Sequence, residues 1–150
     1  MLSNLSYNDV SIVVSGKEAI EKVKEIRPNV ILMDITLKGN LDGIEVAKQL
    51  KGLVDIPVIF VTATAAEETI QRAKITEPFG FLIKPFNEDG LRVTIEIAIY
   101  KHRTEKKLRE SQQLMEKTLA NLQREKETAR TLLNALRDSL ERFPSIEEKT

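Results

Sequence analysis

The stretch Val30-Ile31-Leu32-Met33-Asp34 places four apolar residues directly before a carboxylate. A short, nearly continuous apolar run is typical of a parallel strand that is buried on both faces. Residues 10–14, 58–61 and 81–83 form three more runs of this kind, and segments with the helical spacing of apolar residues lie between the runs. Strands that alternate with helices predict an α/β fold with a parallel sheet and right-handed crossovers.

The starts of three helices are predicted by the spacing of a capping residue and a glutamate. Ser15, Asp42 and Thr64 each stand three residues before a Glu. In a capping box of this spacing, each of the two side chains accepts a hydrogen bond from the backbone N–H of the other residue. Asp42 is therefore better explained as a helix N-cap than as a metal ligand.

The composition changes beyond about residue 100, where Gly is absent and Pro occurs only at Pro144. From Leu108 onward every seventh residue is apolar, and a second series of the same period begins at Gln112. The first series is Leu108, Met115, Leu122, Ala129, Leu136 and Phe143, and the second is Gln112, Leu119, Lys126, Leu133 and Leu140. This is a coiled-coil pattern whose two polar core positions are of the sort that fixes register and dimer state.

Three segments follow from these patterns: a domain over residues 1–100, a coiled-coil extension over residues 101–143 and a tail over residues 144–150. We expect the extension to continue the last helix of the domain and Pro144 to end it. We favour a homodimer through residues 101–143 over a single helix that folds back on the domain, because the pattern outlasts the domain by many turns.

Composition and charge exclude several classes of protein. Hydrophobic residues make up 41% of the 150 residues and charged residues 31%, which suits a soluble globular protein. The chain has no cysteine, so disulfides are excluded and a reducing cytoplasm is the expected location. The net charge is zero, and neither half has the basic excess of a nucleic-acid binder. No apolar run approaches the roughly 20 residues that cross a bilayer, so no membrane partner is expected.

Three of the apolar runs are followed by residues with useful chemistry. Asp34, Thr62 and Lys84 each come directly after a predicted strand. Because the carboxyl ends of parallel strands meet at one edge of a sheet, these side chains should converge. A carboxylate could attack phosphorus there, while the hydroxyl and the ammonium hold the charged oxygens.

Four fragments carry a family resemblance: residues 30–34, Asp42-Gly43, residues 58–63 and residues 81–86. In this order and spacing they resemble the receiver domains of response regulators and hybrid histidine kinases, over about residues 2–100. The resemblance implies a flavodoxin-like fold of strand order 2-1-3-4-5. It also implies transfer of a phosphoryl group to Asp34 from a histidine kinase or a phosphotransfer protein.

The resemblance also implies roles for individual residues. Thr62 would be the switch hydroxyl, Phe81 the switch aromatic and Lys84 the phosphate-binding lysine. The Lys84–Pro85 peptide bond is expected to be cis. The backbone carbonyl of Thr36 should join Asp34 in binding Mg²⁺.

The sequence departs from the family at its start. Receivers open with a strand that ends in an acidic pair, but residues 2–7 resemble the last turn of the first helix and residues 9–14 the second strand. The first strand, the acidic pair and most of the first helix are thus expected to be missing. Asp9 and Glu18 lie in the wrong places to replace the pair. We therefore expect weak Mg²⁺ affinity and slow phosphorylation.

Two other interpretations of the chain remain besides a functional receiver. The chain could be a pseudo-receiver that has lost phosphorylation and acts as a dimerisation or docking scaffold. A small phosphatase is more remote, because no independent nucleophile or general base is present, so we do not expect an enzyme. The basic residues near 101–109 are read as a solvated helix face, and His102 as a surface residue.

Overall fold

The computed structural model describes residues 2–7 and 9–143 of the chain. In chain order its elements are a 3₁₀ turn (Leu2–Leu5), α1 (Gly16–Ile26), β1 (Ile31–Asp34), α2 (Gly43–Lys51), β2 (Val58–Thr62), α3 (Glu67–Lys74), β3 (Gly80–Ile83) and α4 (Glu88–Arg142). The chain divides into two compact units, residues 1–105 and residues 106–150. The predicted tail over residues 144–150, including Pro144, lies outside the described residues.

The sheet confirms the predicted parallel α/β architecture. Its three strands lie in the order β1-β2-β3, and both pairs are parallel. Asp34 lies opposite Val61, and Thr62 lies opposite Ile83. The carboxyl ends of the three strands therefore share one edge of the sheet.

The core has two layers because successive side chains of a strand point to opposite faces. On β2, Phe60 packs with α1 and α2, whereas Ile59 and Val61 pack with α4. The first four turns of α4 contribute Leu91 and Ile95 to this second layer. Helices thus pack on both faces of the sheet.

The short turn at the start of the chain packs against the α4 layer. Leu2, Leu5 and Tyr7 are partly buried against that cluster. This agrees with a turn of helix at residues 2–7, although the turn is of the 3₁₀ type and covers Leu2–Leu5.

The prediction of a strand over residues 10–14 is wrong. Val10, Ile12 and Val14 are exposed, and only Ser15 makes an isolated parallel bridge, to Lys38. A strand needs a neighbouring backbone to satisfy its hydrogen bonds. Within the described ranges β1 pairs with β2 alone, so no strand lies beside residues 10–14 for them to join.

Two of the three predicted capping boxes form hydrogen bonds of the expected kind at the starts of α1 and α2. Asp42 and Glu45 make the complete reciprocal pair, at 2.9 and 2.8 Å. Ser15 caps α1 by accepting from the Glu18 N–H at 3.3 Å, while the Glu18 carboxylate accepts from the Val14 N–H.

The prediction of a third capping box, at Thr64, is wrong. Helix α3 begins at Glu67, and its N-cap residue, Ala66, makes no capping side-chain bond. The Thr64 hydroxyl instead accepts from the Ala66 N–H, and the backbone N–H and carbonyl of Thr64 both bond to the hydroxyl of Thr62.

The long helix is continuous from Glu88 to Arg142, as predicted. His102, however, is not a simple surface residue. Its side chain is only 13% exposed, and its Nε2 lies 2.8 Å from the Asp55 carboxylate. The ring packs edge-on against Phe79 at 5.4 Å between centroids. In the part of the chain that is described, no helix has the length and apolar character needed to span a bilayer.

Candidate phosphoacceptor site

Asp34 and Lys84 meet at the carboxyl edge of the sheet. Asp34 is the last residue of β1, and its Oδ2 lies 2.6 Å from the Lys84 Nζ. Its Oδ1 accepts a hydrogen bond from the Thr36 N–H at 2.8 Å. Both side chains remain partly exposed, 35% for Asp34 and 46% for Lys84, so an incoming group can reach the carboxylate.

The position of Lys84 is set by the end of β3. Its backbone N–H donates to the Thr62 carbonyl at 2.8 Å, which continues the ladder one residue beyond Ile83. The Lys84–Pro85 bond is cis, as the family resemblance led us to expect. The Lys84 side chain thus extends from the end of β3 to the Asp34 carboxylate at the end of β1.

Thr62 lies at the same edge, but its hydroxyl is engaged elsewhere. The residue is 5% exposed, and Oγ1 donates to the Thr64 carbonyl at 2.9 Å and accepts from the Thr64 N–H at 3.2 Å. No hydrogen bond joins it to Asp34 among the described residues. A hydroxyl held by the following loop could exchange that bond for one to a bound phosphoryl oxygen.

Phe81 lies away from this cluster, in the middle of β3. It is partly buried, and its ring lies 5.8 Å from that of Phe60 with the two planes tilted by 34°. The aromatic residue that the resemblance assigns to switching therefore packs into the α1–α2 layer in this structure.

The described residues do not by themselves make a good magnesium site. Mg²⁺ prefers carboxylate oxygens and several waters in an octahedral shell. Within residues 2–7 and 9–143, no group of three or more acidic, His or Cys side chains could hold a metal ion. Asp34 already gives one oxygen to Lys84 and the other to Thr36. The role of the Thr36 carbonyl stays a prediction.

Comparison with known proteins agrees with this geometry. Residues 1–96 match the model of the response regulator receiver domain. The chain belongs to this family. The receiver is 36% identical to the transcriptional regulatory protein ZraR of Escherichia coli over 100 residues, which cover 66% of this chain and 22% of that protein. It spans about a fifth of the length of the curated relatives it matches first.

Two solved structures extend the comparison. The signal receiver domain of a modulated diguanylate cyclase from Desulfovibrio desulfuricans is 41% identical, with a TM-score of 0.65 over 69% of this chain and 82% of that one. A yeast trimeric coiled-coil segment fused to another structure is 27% identical, with a TM-score of 0.65 over 83% of this receiver and 78% of that chain.

A close backbone contact that sequence reasoning missed lies beside Asp34, the candidate phosphoacceptor. Gly43 opens α2, and its N–H donates to the Ile35 carbonyl at 2.9 Å. A Cβ atom at this position would lie only 2.1 Å from the carbonyl oxygen of Asp34. The Asp42-Gly43 pair signals a helix start, but a local pattern does not reveal that the glycine packs against β1.

An ion pair beside the site was also missed. The Arg72 guanidinium on α3 lies 2.5 Å from Oδ2 of Asp42, the N-cap of α2. Burial tends to raise the pKa of Asp42, but the hydrogen bond from the Glu45 N–H and the Arg72 guanidinium outweigh it, so the pKa is lowered. The same contact raises the pKa of Arg72. The two residues are 30 positions apart, so no short motif could pair them.

Proposed function

We propose that this receiver accepts a phosphoryl group on Asp34 from a histidine kinase or a phosphotransfer protein and relays its state through a dimerising helix. The contact of 2.6 Å between the Asp34 carboxylate and the Lys84 ammonium carries the proposal. A cation at this place can bind the carboxylate before transfer and a phosphoryl oxygen after it. Membership of the receiver family supports the same chemistry.

The proposed transfer uses groups of this chain that lie at the sheet edge. An Asp34 carboxylate oxygen attacks the phosphorus of a phosphohistidine, an O–P bond forms, the N–P bond breaks and the histidine leaves with the electron pair. Lys84 then pairs with the phosphoryl charge. The Thr62 hydroxyl exchanges its bond with the Thr64 carbonyl for one to a phosphoryl oxygen, and movement of this loop is accompanied by movement of Phe81.

Mg²⁺ is expected to accelerate phosphorylation only weakly. The Asp34 carboxylate is already paired with Lys84, so it offers less negative charge than Mg²⁺ sites usually provide. We therefore propose weak Mg²⁺ affinity and slow phosphorylation. The protein would act in the cytoplasm as a signalling component, without membrane or nucleic-acid partners, and at most would catalyse its own phosphorylation and dephosphorylation.

The second candidate is a pseudo-receiver that serves as a dimerisation or docking scaffold. The same metal-poor site favours it, because both carboxylate oxygens of Asp34 are satisfied by Lys84 and Thr36. Signalling output would then be insensitive to the chemistry of Asp34. Replacing Asp34 with Asn changes output in the leading proposal and leaves it unchanged in this one.

The test is phosphorylation of the purified chain with acetyl phosphate, with and without Mg²⁺, followed by intact mass and peptide mapping. We expect slow addition of one phosphoryl group to Asp34, with little acceleration by Mg²⁺, and none on Asp34→Asn. Asp89→Asn, an exposed carboxylate at the start of α4, is the matched control. Failure to label with this donor and with phosphohistidine donors would reject the phosphoacceptor role. Strong stimulation by Mg²⁺ would reject only the proposed weak Mg²⁺ affinity and would leave the phosphoacceptor role standing.

A further inference from the structure

The helix beyond the first compact unit presents a long apolar stripe to solvent. Leu119 and Leu122 are both 56% exposed. The other large apolar members of the two sevenfold series are also exposed: Leu108, Met115, Leu133, Leu136, Leu140 and Phe143. A stripe of this length on one helix is a surface that normally becomes buried against another helix.

The distribution of polar residues along the stripe distinguishes parallel from antiparallel pairing. In heptad notation, the series from Leu108 occupies the d positions and the series from Gln112 the a positions. Every d position is apolar, whereas Gln112 and Lys126 occupy a positions. Antiparallel helices pair a with d, so each polar side chain would face an apolar one. Parallel helices pair a with a, so each polar side chain meets its own copy.

The register follows from the same two residues. With no shift, Gln112 faces Gln112 and Lys126 faces Lys126 of the second copy. A shift of one heptad would place both Gln112 and Lys126 against leucines, leaving buried polar groups without partners. A shift of two heptads would leave two members of each series without a partner in each copy, and it would place Lys126 against Leu140.

Charge complementarity supports the unshifted parallel pair. Glu125 occupies a g position and Arg130 the e position five residues later, so each faces the other residue of the second copy across the interface. Lys126 lies beside Glu125 of the second copy. Within the described single chain, Glu125, Lys126 and Arg130 form no ion pair of their own. These three charges are therefore available to a partner.

We infer that two copies of this chain pair as a parallel, in-register coiled coil along residues 108–143, with Glu125 of each copy between Lys126 and Arg130 of the other. This deepens the proposed function, since it names the partner and the geometry of the dimerising helix. The charged layer at Lys126 specifies two strands and weakens the coil locally at Lys126 and Ala129.

Single cysteines test orientation and register, because the full chain has none of its own. Leu122→Cys should form a disulfide with its own copy, at least about tenfold faster than Arg124→Cys on the outer face, since a disulfide needs close Cβ atoms. Antiparallel pairing would leave Leu122→Cys uncrosslinked and instead crosslink a mixture of Leu119→Cys and Ala129→Cys chains. That outcome overturns the inference.

Charge reversal tests the ionic contacts in the full chain without cysteines. Glu125→Arg should weaken dimerisation roughly fivefold through repulsion of Arg130 of the second copy, and adding Arg130→Glu should restore it. Sedimentation equilibrium gives the dissociation constant and circular dichroism the helix content. A monomer, a trimer or absence of rescue contradicts the inference.

These results are independent of phosphorylation. A chain that crosslinks at Leu122→Cys but never labels at Asp34 keeps the parallel dimer and rejects the phosphoacceptor. A chain that labels at Asp34 but remains monomeric keeps the phosphoacceptor and rejects the dimer.

Discussion

At the scale of single residues, the candidate site depends on contacts between backbone and side chain that leave little room. Asp34 is held from two sides, by Lys84 and Thr36 through its carboxylate and by Gly43 against its carbonyl. Because Gly43 has no side chain, the start of α2 can pack this closely against the backbone of Asp34.

Gly43→Ala should displace β1 from α2. The new Cβ would lie 2.1 Å from the Asp34 carbonyl oxygen, a contact that can be relieved only by moving backbone. We expect a loss of about 1–3 kcal/mol in the free energy of unfolding, as for other overpacked sites, together with slower labelling of Asp34. Urea denaturation and phosphodonor labelling measure the two effects.

Gly52→Ala is the matched control for this substitution. Its Cβ would meet nothing nearer than 3.8 Å, and its backbone is already in the right-handed helical region. A stability change within about 0.5 kcal/mol is expected. Equal losses in the two variants would show that the contact with Asp34 is unimportant.

Asp42→Asn should make stability less sensitive to acid. The pKa of folded Asp42 lies below its ordinary value of 3.8, so the ionised form stabilises the fold above about pH 4. This contribution is lost as pH falls through the folded pKa. Asn keeps the helix cap but not the charge, so the variant should be less stable at pH 7 and should approach wild type as the pH falls through the folded pKa of Asp42.

Urea midpoints measured across this pH range check the prediction. Arg72→Gln provides the control background, because Asp42 has lost its guanidinium partner there. The effect of Asp42→Asn at neutral pH should be smaller in that background. A difference between Asp42→Asn and wild type that is constant with pH would contradict the electrostatic explanation.

At the scale of elements, the helices were easier to predict than the strands. The long helix α4 has its own backbone hydrogen bonds and an apolar stripe, so its existence follows from its own residues. Residues 10–14 carry an equally clear apolar pattern but are not a strand. A strand depends on a neighbour that local sequence does not specify.

Ile95→Ala should destabilise the packing of α4 on the sheet. Ile95 is fully buried in the cluster that also contains Ile59 and Leu91. Removing its side-chain carbons leaves a cavity, and we expect a loss of about 2–5 kcal/mol in the free energy of unfolding. Ile97→Ala, at an exposed site on the same helix, should change it by less than about 0.5 kcal/mol. Similar urea midpoints for both variants would contradict this packing.

At the scale of the whole molecule, α4 links the sheet to the coiled-coil pattern. Its packing on the sheet ends at His102, which contacts Asp55 and Phe79. Asp55 precedes β2, so this contact lies at the end of the sheet opposite Asp34. The same helix thus spans the receiver from the loop after the cis bond to the far edge.

His102→Ala should loosen the last packed turn of α4. Loss of its hydrogen bond to Asp55 should cost about 1 kcal/mol locally and raise amide hydrogen exchange around residues 98–104 by about fivefold. Arg103→Ala, at an exposed neighbouring position, is the control and should leave exchange unchanged. Unaltered exchange in His102→Ala would show that the contact does not hold the helix.

The sequence by itself determined the parallel α/β class, the caps of α1 and α2, the continuous helix and the placing of Asp34, Thr62 and Lys84 at strand ends. All of these depend on neighbours a few residues away or on the shared direction of parallel strands. Tertiary structure alone decided that residues 10–14 stay unpaired, that Gly43 packs against Asp34, that Arg72 binds Asp42 and that His102 is partly buried. These contacts join residues that are distant along the chain, and only the packing of whole elements brings them together.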